Sequence, residues 1–219
     1  MFSIMAGYGL VLDCTDHPAI RYLINDAAVL HGIPIVSASA LRMEGQLIVL
    51  NNPPSLGPCY RCIWPIPPPA ASVVGCGEGG ILGPVVGLMG VLQAIEAIKI
   101  LTHQIADTGK TTMTLFSAYN TPQFRMLKMR EKKTGCVSCG NPENREDKIT
   151  RESIESGKTD HVAFCGSLRT VGLLKPAERV GVEEYKRVVD DGRDHILLDV
   201  RDKTQFGICR LEGSSSECT

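Results

Sequence analysis

Two short cysteine pairs, Cys59-Tyr60-Arg61-Cys62 and Cys136-Val137-Ser138-Cys139, constrain the fold of this chain more than any other feature. Each lies in turn-forming sequence, with Gly57-Pro58 before the first and Gly135 and Gly140 around the second. A knuckle of this kind aims two thiolates at one point, and two knuckles complete a tetrahedral four-sulfur zinc site. Two redox dithiols would share the same spacing. Between the pairs lies Cys76, in Gly75-Cys76-Gly77-Glu78-Gly79-Gly80, outside the metal set. A structural metal beside an uncommitted cysteine in glycine-rich backbone suggests chemistry carried by a thiol.

The nine cysteines are an odd number in 219 residues, a length that buries a core without disulfides. The opening stretch, residues 1–9, is short and uncharged and resembles neither a secretory nor a mitochondrial leader. Reduced thiols in a cytosolic protein are the expectation. A net charge of -1 gives no electrostatic case for direct binding to nucleic acid or to an anionic membrane. The strongest apolar segment, Pro84 to Leu101, is interrupted by Gln93, Glu96 and Lys99 and is expected in a core rather than in a membrane.

Charged residues are sparse in the first hundred positions and dense after them, so the first part reads as buried α/β structure. A short strand at Leu10 to Leu12 runs into Asp13-Cys14-Thr15-Asp16. A helix follows, with Ile20, Leu23, Ile24, Ala27 and Val29-Leu30 near helical spacing and Gly32 at its C-terminus. Further strands are expected at Ile33 to Ser37 and Gln46 to Leu50. The order strand, helix, strand predicts a parallel sheet with a right-handed crossover. Pro84 suits the first turn of a helix whose polar positions form one narrow stripe, so most of its girth is expected to be buried. Gly87 and Gly90 would allow close backbone approach on one side. Thr112 to Phe116 and Gln123 to Lys128 read as two strands joined by a turn. Residues 141–179 read as a charged tail and linker, Val182 to Asp190 as a helix, and His195 to Val200 as a strand opening a second α/β unit.

Asp16 stands where strand meets helix, at the carboxyl edge of the expected sheet, where open α/β folds bind ligands and a carboxylate can hold magnesium. Capping of the helix by Asp16 or Thr15 is the competing reading. Asp13 reads as a structural hydrogen-bonding group. The sequence contains no G-x-G-x-x-G or G-x-x-x-x-G-K phosphate loop. For Cys76, a mobile nucleophile and a small buried cysteine are both open.

Several segments in fixed order resemble one family. They are Val11-Leu12-Asp13-Cys14-Thr15-Asp16, Ser37 to Gln46, Pro58-Cys59-Tyr60-Arg61-Cys62, Cys76 to Gly90 and Gln93 to Lys99. All are similar to the MoeB/ThiF-type adenylyltransferases that activate ubiquitin-like sulfur carriers. Phe164-Cys165-Gly166-Ser167 and Glu178 to Arg201 resemble the linker and rhodanese start of that family's two-domain eukaryotic form. The resemblance implies a partial Rossmann-like MoeB/ThiF activating domain with a four-cysteine zinc site over residues 1–167. A linker at 168–179 and the truncated start of a rhodanese-like domain at 180–219 complete the expected α/β chain.

By the same resemblance, Cys59, Cys62, Cys136 and Cys139 match structural zinc ligands. Cys76 matches the cysteine that takes part in sulfur transfer, and Asp16 a nucleotide- and magnesium-binding aspartate. The next position, usually asparagine in the family, is His17. The implied cofactors are Zn2+, ATP and Mg2+. The implied partners are the molybdopterin synthase small subunit and a tRNA-thiolation carrier, a persulfide sulfur donor, and a second copy of the chain in a homodimer. The implied activity is carrier adenylation and sulfur transfer to a thiocarboxylate, serving molybdopterin synthesis and wobble-uridine 2-thiolation of tRNA. The family's glycine-rich ATP loop and its rhodanese cysteine have no counterpart here, so this chain is expected to be an inactive fragment on its own. A non-catalytic zinc-bearing carrier-binding or dimerisation module is the alternative.

Overall fold

The computed structural model describes residues 2–69, 72–73, 79–104, 109–141, 147–165, 178, 180–200 and 203–216. The chain separates into two compact units, Met1–Arg169 and Thr170–Thr219.

The first unit begins with a short helix, α1 (Phe2–Met5), then strand β1 (Val11–Asp13) and helix α2 (Pro18–His31). Pro18 suits the first turn of α2 because the N–H it lacks would have no helical partner there. Gly32 ends the helix in the left-handed region at φ 64°, and its N–H reaches the carbonyls of Ala28 and Val29. The chain returns as β2 (Ile35–Leu41), which pairs parallel with β1, Val11 opposite Ile35 and Asp13 opposite Ser37. This is the pairing that strand-helix-strand order predicts.

The rest of the sheet is not parallel. β3 (Glu44–Leu50), β4 (Thr112–Ser117) and β5 (Phe124–Lys128) each pair antiparallel with the preceding strand, in the order β1-β2-β3-β4-β5. Only Arg42 and Met43 join β2 to β3, far too few residues for a crossover, and Arg42 turns the hairpin at φ 54°. The expectation of a parallel sheet therefore holds for its first pair alone.

Alternate residues of β2 and β3 face opposite sides, which gives the unit two cores. Ile35, Ile48, Leu50 and Met113 pack with Ala27 and Ala28 of α2 and with Phe2 and Met5 of α1. Val36, Ala38, Leu47 and Phe116 pack with Val85 and Met89 of α4 (Gly83–Leu101). Each of the larger of these side chains, the Val, Leu, Ile, Met and Phe, contributes about 1.5–3 kcal/mol by burial.

Helix α4 corrects two expectations. Its buried residues are Val85, Met89, Gln93 and Ala97, one stripe at a spacing of four, while Val91, Ile95, Ile98 and Leu101 are exposed. Gln93, assigned from sequence to an outward polar stripe, is only 4% exposed and faces the sheet. Nor do Gly87 and Gly90 mark a close approach, since among the described residues no neighbouring element lies within 4 Å of where a Cβ would stand. The close approach is at Gly45, whose missing Cβ leaves the space that the Met89 side chain fills. By length and composition α4 also meets the test for a membrane span, yet its buried stripe is built into this domain's core.

The stretch expected as a charged tail is partly structured. After the short helix α3 (Tyr60–Ile63) at the first knuckle and the second knuckle itself come α5 (Arg151–Glu155) and α6 (His161–Phe164). Thr150 and Ser153 form a reciprocal capping box on α5, and Asp160 caps α6. Ile149, His161 and Cys165 are buried within the first unit. Of the expected linker, only Glu178 lies among the described residues.

The second unit holds α7 (Val182–Asp190), β6 (Leu198–Asp199), α8 (Lys203–Ile208) and β7 (Ser215–Ser216), with β6 and β7 parallel. The strand expected at 195–200 is shorter than its sequence suggests. None of this unit's described residues is buried.

Candidate functional site

The two cysteine knuckles meet. The sulfurs of Cys59, Cys62, Cys136 and Cys139 all lie within 4.8 Å of one another. Cys59 Sγ is 3.9 Å from Cys62 and 3.6 Å from Cys136, and Cys62 Sγ is 3.3 Å from Cys139. Tetrahedral zinc with Zn–S bonds of about 2.3 Å needs sulfur–sulfur edges of about 3.8 Å, so the donor set fits that ion. Each knuckle closes with a backbone turn: the Cys62 N–H donates to the Cys59 carbonyl and the Gly140 N–H to the Cys136 carbonyl, both at 3.0 Å. The Lys133 N–H donates to Cys62 Sγ at 3.3 Å, as suits a thiolate. Hydrogen bonds from Cys139, Cys59 and Cys62 hold Cys136 far below the ordinary thiol range, while those to Cys136, Cys139 and Cys62 push Cys59 far above it. Zn2+ held by Cys59, Cys62, Cys136 and Cys139 would keep all four as thiolates.

Helix α2 stands behind both knuckles. The Asp26 carboxylate, fully buried, accepts from Arg61 Nε at 2.9 and 3.1 Å and from its terminal nitrogen at 2.8 Å. His161 Nε2 lies 2.8 Å from the same carboxylate. Burial alone would push Asp26 up, but the His161 and Arg61 hydrogen bonds and the Arg61 charge outweigh it and hold the carboxyl below its usual range. The Arg61 guanidinium also lies over the rings of Tyr22 and Phe164, 4.8 and 4.4 Å from their centroids, where those two rings meet edge to face. Asn25 donates to Ser138 Oγ at 3.3 Å and accepts from the Tyr60 N–H at 2.7 Å.

A cleft of about 700 Å3 opens at the carboxyl ends of the parallel strands β1 and β2. Thr15, Asp16, Arg21, Ser39, Gln46, Tyr60 and Gln93 are among its lining residues. Its floor is a buried polar network. Asp13 accepts from the Thr15 N–H and hydroxyl and from Ser37 Oγ. Arg21 lies 3.7 Å from the Asp13 carboxylate and donates to Ser37 Oγ and to the carbonyls of Ala38 and Thr15. Gln93 donates to the carbonyls of Asp13 and Val36, and the Cys14 thiol donates to Gln93. Asp13 is thus the structural group the sequence suggested.

Asp16 is exposed on the cleft wall. It does not cap α2, and neither does Thr15. The cap is His17, whose Nδ1 accepts from the Ala19 N–H at 3.3 Å. The competing reading of Asp16 as a cap is therefore wrong, and its carboxylate is left facing the cleft. Cys76 lies outside the described residues. Arg21, Asn25, Asp26 and Gln93 were missed from sequence. Their one signal was polarity on helix faces otherwise filled by apolar residues.

The ThiF family model matches residues 1–138. The adenylyltransferase and sulfurtransferase Uba4 of Emericella nidulans is 52% identical over 220 residues, covering 97% of this chain and 45% of that protein. The Uba4 of Yarrowia lipolytica is 52% identical over 207 residues, covering 94% of this chain and 50% of its own length. The chain thus spans about half the length of these curated relatives. The crystal structure of E. coli MccB superposes with a TM-score of 0.50 over 67% of this chain and 44% of that one, at 16% identity, a likeness of fold alone. With its sequence matched over residues 1–138, across the sheet, the cleft and the first knuckle, this chain belongs to the ThiF family.

Proposed function

We propose that this chain is part of an enzyme that activates a ubiquitin-like sulfur carrier by adenylating its C-terminus. The carrier carboxylate attacks the α-phosphate of ATP, forming the acyl-adenylate and releasing pyrophosphate. A persulfide's outer sulfur then attacks the acyl carbon and AMP leaves. A thiol opens the resulting acyl disulfide, giving the thiocarboxylate and a disulfide. The observation that carries this reading is the cleft at the carboxyl ends of β1 and β2, with Asp16 exposed on its wall. That is where open α/β sheets take nucleotides, and in this reading Asp16, with His17 beside it, would meet Mg-ATP. The likeness to the Uba4 proteins, named adenylyltransferases and sulfurtransferases, supports it.

Cys76 belongs to the same proposal as the thiol that takes part in sulfur transfer. So do molybdopterin synthesis and tRNA wobble-uridine 2-thiolation as destinations of the sulfur, the corresponding carriers as partners, a homodimer as the assembly, and the cytosol as the compartment. Zinc on Cys59, Cys62, Cys136 and Cys139 is structural in this reading, since four protein sulfurs leave no open position for substrate. For residues 180–219 we propose the opening of a rhodanese-like unit, which the parallel pairing of β6 and β7 around α8 supports.

The test is ATP–pyrophosphate exchange in the full-length enzyme with a carrier ending in a free carboxylate. Carrier-dependent exchange that Asp16→Ala abolishes supports the proposal, and exchange untouched by that substitution removes the site from it. The second reading, a zinc-bearing module that binds a carrier or dimerises without turnover, has in its favour the exposed apolar Val91, Ile95, Ile98 and Leu101 on α4. It predicts carrier binding without exchange.

A further inference from the structure

The geometry points to Asn25 and Asp26 as the residues that set the zinc affinity of the two cysteine knuckles, by holding both against one turn of α2. Each knuckle carries a polar residue between its ligand cysteines, Arg61 in the first and Ser138 in the second. Both turn toward α2. Asp26 grips Arg61 with both carboxylate oxygens, and Asn25, the preceding residue, bonds Ser138. The Asn25 amide oxygen also accepts the N–H of Tyr60, next to the ligand Cys59. The Asn25 amide nitrogen is itself tied to Asp26 at 2.9 Å, so the two posts form one rigid unit. His161 closes the far side of the carboxylate.

All five residues, Asn25, Asp26, Arg61, Ser138 and His161, are at most 6% exposed, so water has little access to replace a bond that is lost. The physical consequence concerns the metal. Four thiolates repel one another and must be gathered at edges of about 3.8 Å before zinc is held tightly. Knuckles fixed by α2 arrive already in register, whereas knuckles freed from it must be ordered by the metal itself. Loss of such outer hydrogen-bonding partners weakens metal binding by about 10–100-fold. Asp26 and Asn25 touch no ligand sulfur in this arrangement, so they are positioning residues rather than ligands.

This inference rests on the reading of the four sulfurs as a zinc site, and the experiment separates the two. The full 219-residue chain, reduced and loaded with zinc, is titrated against a chromogenic chelator of known affinity at neutral pH. Three variants are compared with wild type: Asp26→Asn, Ser138→Ala and Val36→Ala. Val36 is fully buried on the sheet face that packs against α4, so its truncation loosens the core without touching the knuckles.

The expected result is zinc affinity lowered about 10–100-fold by Asp26→Asn and roughly tenfold by Ser138→Ala, with Val36→Ala within about twofold of wild type. If Asp26→Asn does not fold, Ser138→Ala decides, because it severs one side-chain bond and keeps the backbone. Ser138→Ala and a folded Asp26→Asn both within about twofold of wild type would overturn the inference. An equal loss in Val36→Ala would also overturn it, since general loosening of the fold would then account for the effect. Wild type that binds no zinc would overturn the metal reading itself, and this inference with it.

Discussion

Gln93 donates its side-chain amide to two main-chain carbonyls at once, that of Asp13 at 3.0 Å and that of Val36 at 2.8 Å. One residue of α4 thereby fastens the helix to both parallel strands at the floor of the cleft. Gln93→Leu keeps the bulk but leaves two carbonyls without that donor in a buried site. The expected loss is about 2–4 kcal/mol of unfolding free energy. Urea denaturation measures it, and a loss below about 0.5 kcal/mol would show that the clasp contributes nothing.

One zinc per chain is expected in the reduced, purified protein. Cys136→Ser removes a ligand, so both metal and order at the knuckles should be lost. Structural zinc contributes on the order of 10 kcal/mol to folding. Elemental analysis and a thermal melt check this together, and a metal-free wild type with an unchanged melt would end it.

Gly140 sits inside the second knuckle, where a Cβ would run into the carbonyl oxygens of Thr134 and Cys136 and the Cys136 nitrogen. Those are backbone atoms, which cannot swing aside. Gly140→Ala is expected to destabilise by about 3 kcal/mol and to loosen the metal. Retention of wild-type stability and zinc content in that variant would mean the turn opens freely.

Asp26 gives the metal-free protein an acid limit. Its folded pKa lies below the unfolded value of 3.8, so its contribution to stability is complete above that value. It is lost as pH falls from there through the depressed folded value, as protonation releases Arg61 and His161. In the presence of chelator, the urea midpoint should fall more steeply below about pH 4 for wild type than for Asp26→Asn. Parallel curves would assign the acid sensitivity to other groups.

Asp16→Ala is expected to leave stability within about 0.5 kcal/mol of wild type, because the side chain is exposed and His17 makes the cap. The 219-residue chain by itself is expected to bind Mg-ATP only weakly. Asp16 offers a metal contact, but phosphates need the backbone amides of a glycine loop at a helix N-terminus, and the sequence has no such loop. Calorimetry showing micromolar affinity would place the phosphate site among residues given other roles above.

How much of this was legible in the sequence depends on how local each signal is. The four sulfurs were legible because a knuckle is a local motif with its turn residues beside it. So was α2, bounded by Pro18 and ended by Gly32. The β2-β3 hairpin was half hidden, since Ser37-Ala38-Ser39-Ala40 lacks the alternation of large apolar residues that marks a strand. Helix α4 misled because it is apolar all round. Composition then says that burial is favourable but not which face finds a partner, and Gln93 was put on the wrong side. Asp26 and Arg61 were invisible for a different reason. They meet across 35 positions of sequence, and nothing near either announces the other.

Arg21 and Asn25 lie one helical turn apart on α2, the first bonded to strand β2 beside the cleft and the second to the metal knuckles. A rise of about 1.5 Å per residue puts roughly 6 Å between them along a single rod. Chelation at one end should therefore register as motion at the other. On metal removal, the backbone amides of Ala19 to Tyr22 are expected to exchange with deuterium sooner than those of β3, although none of these residues belongs to either knuckle. The four cysteines would then fix more than a local turn: they would set how long the cleft wall stays closed to solvent between openings.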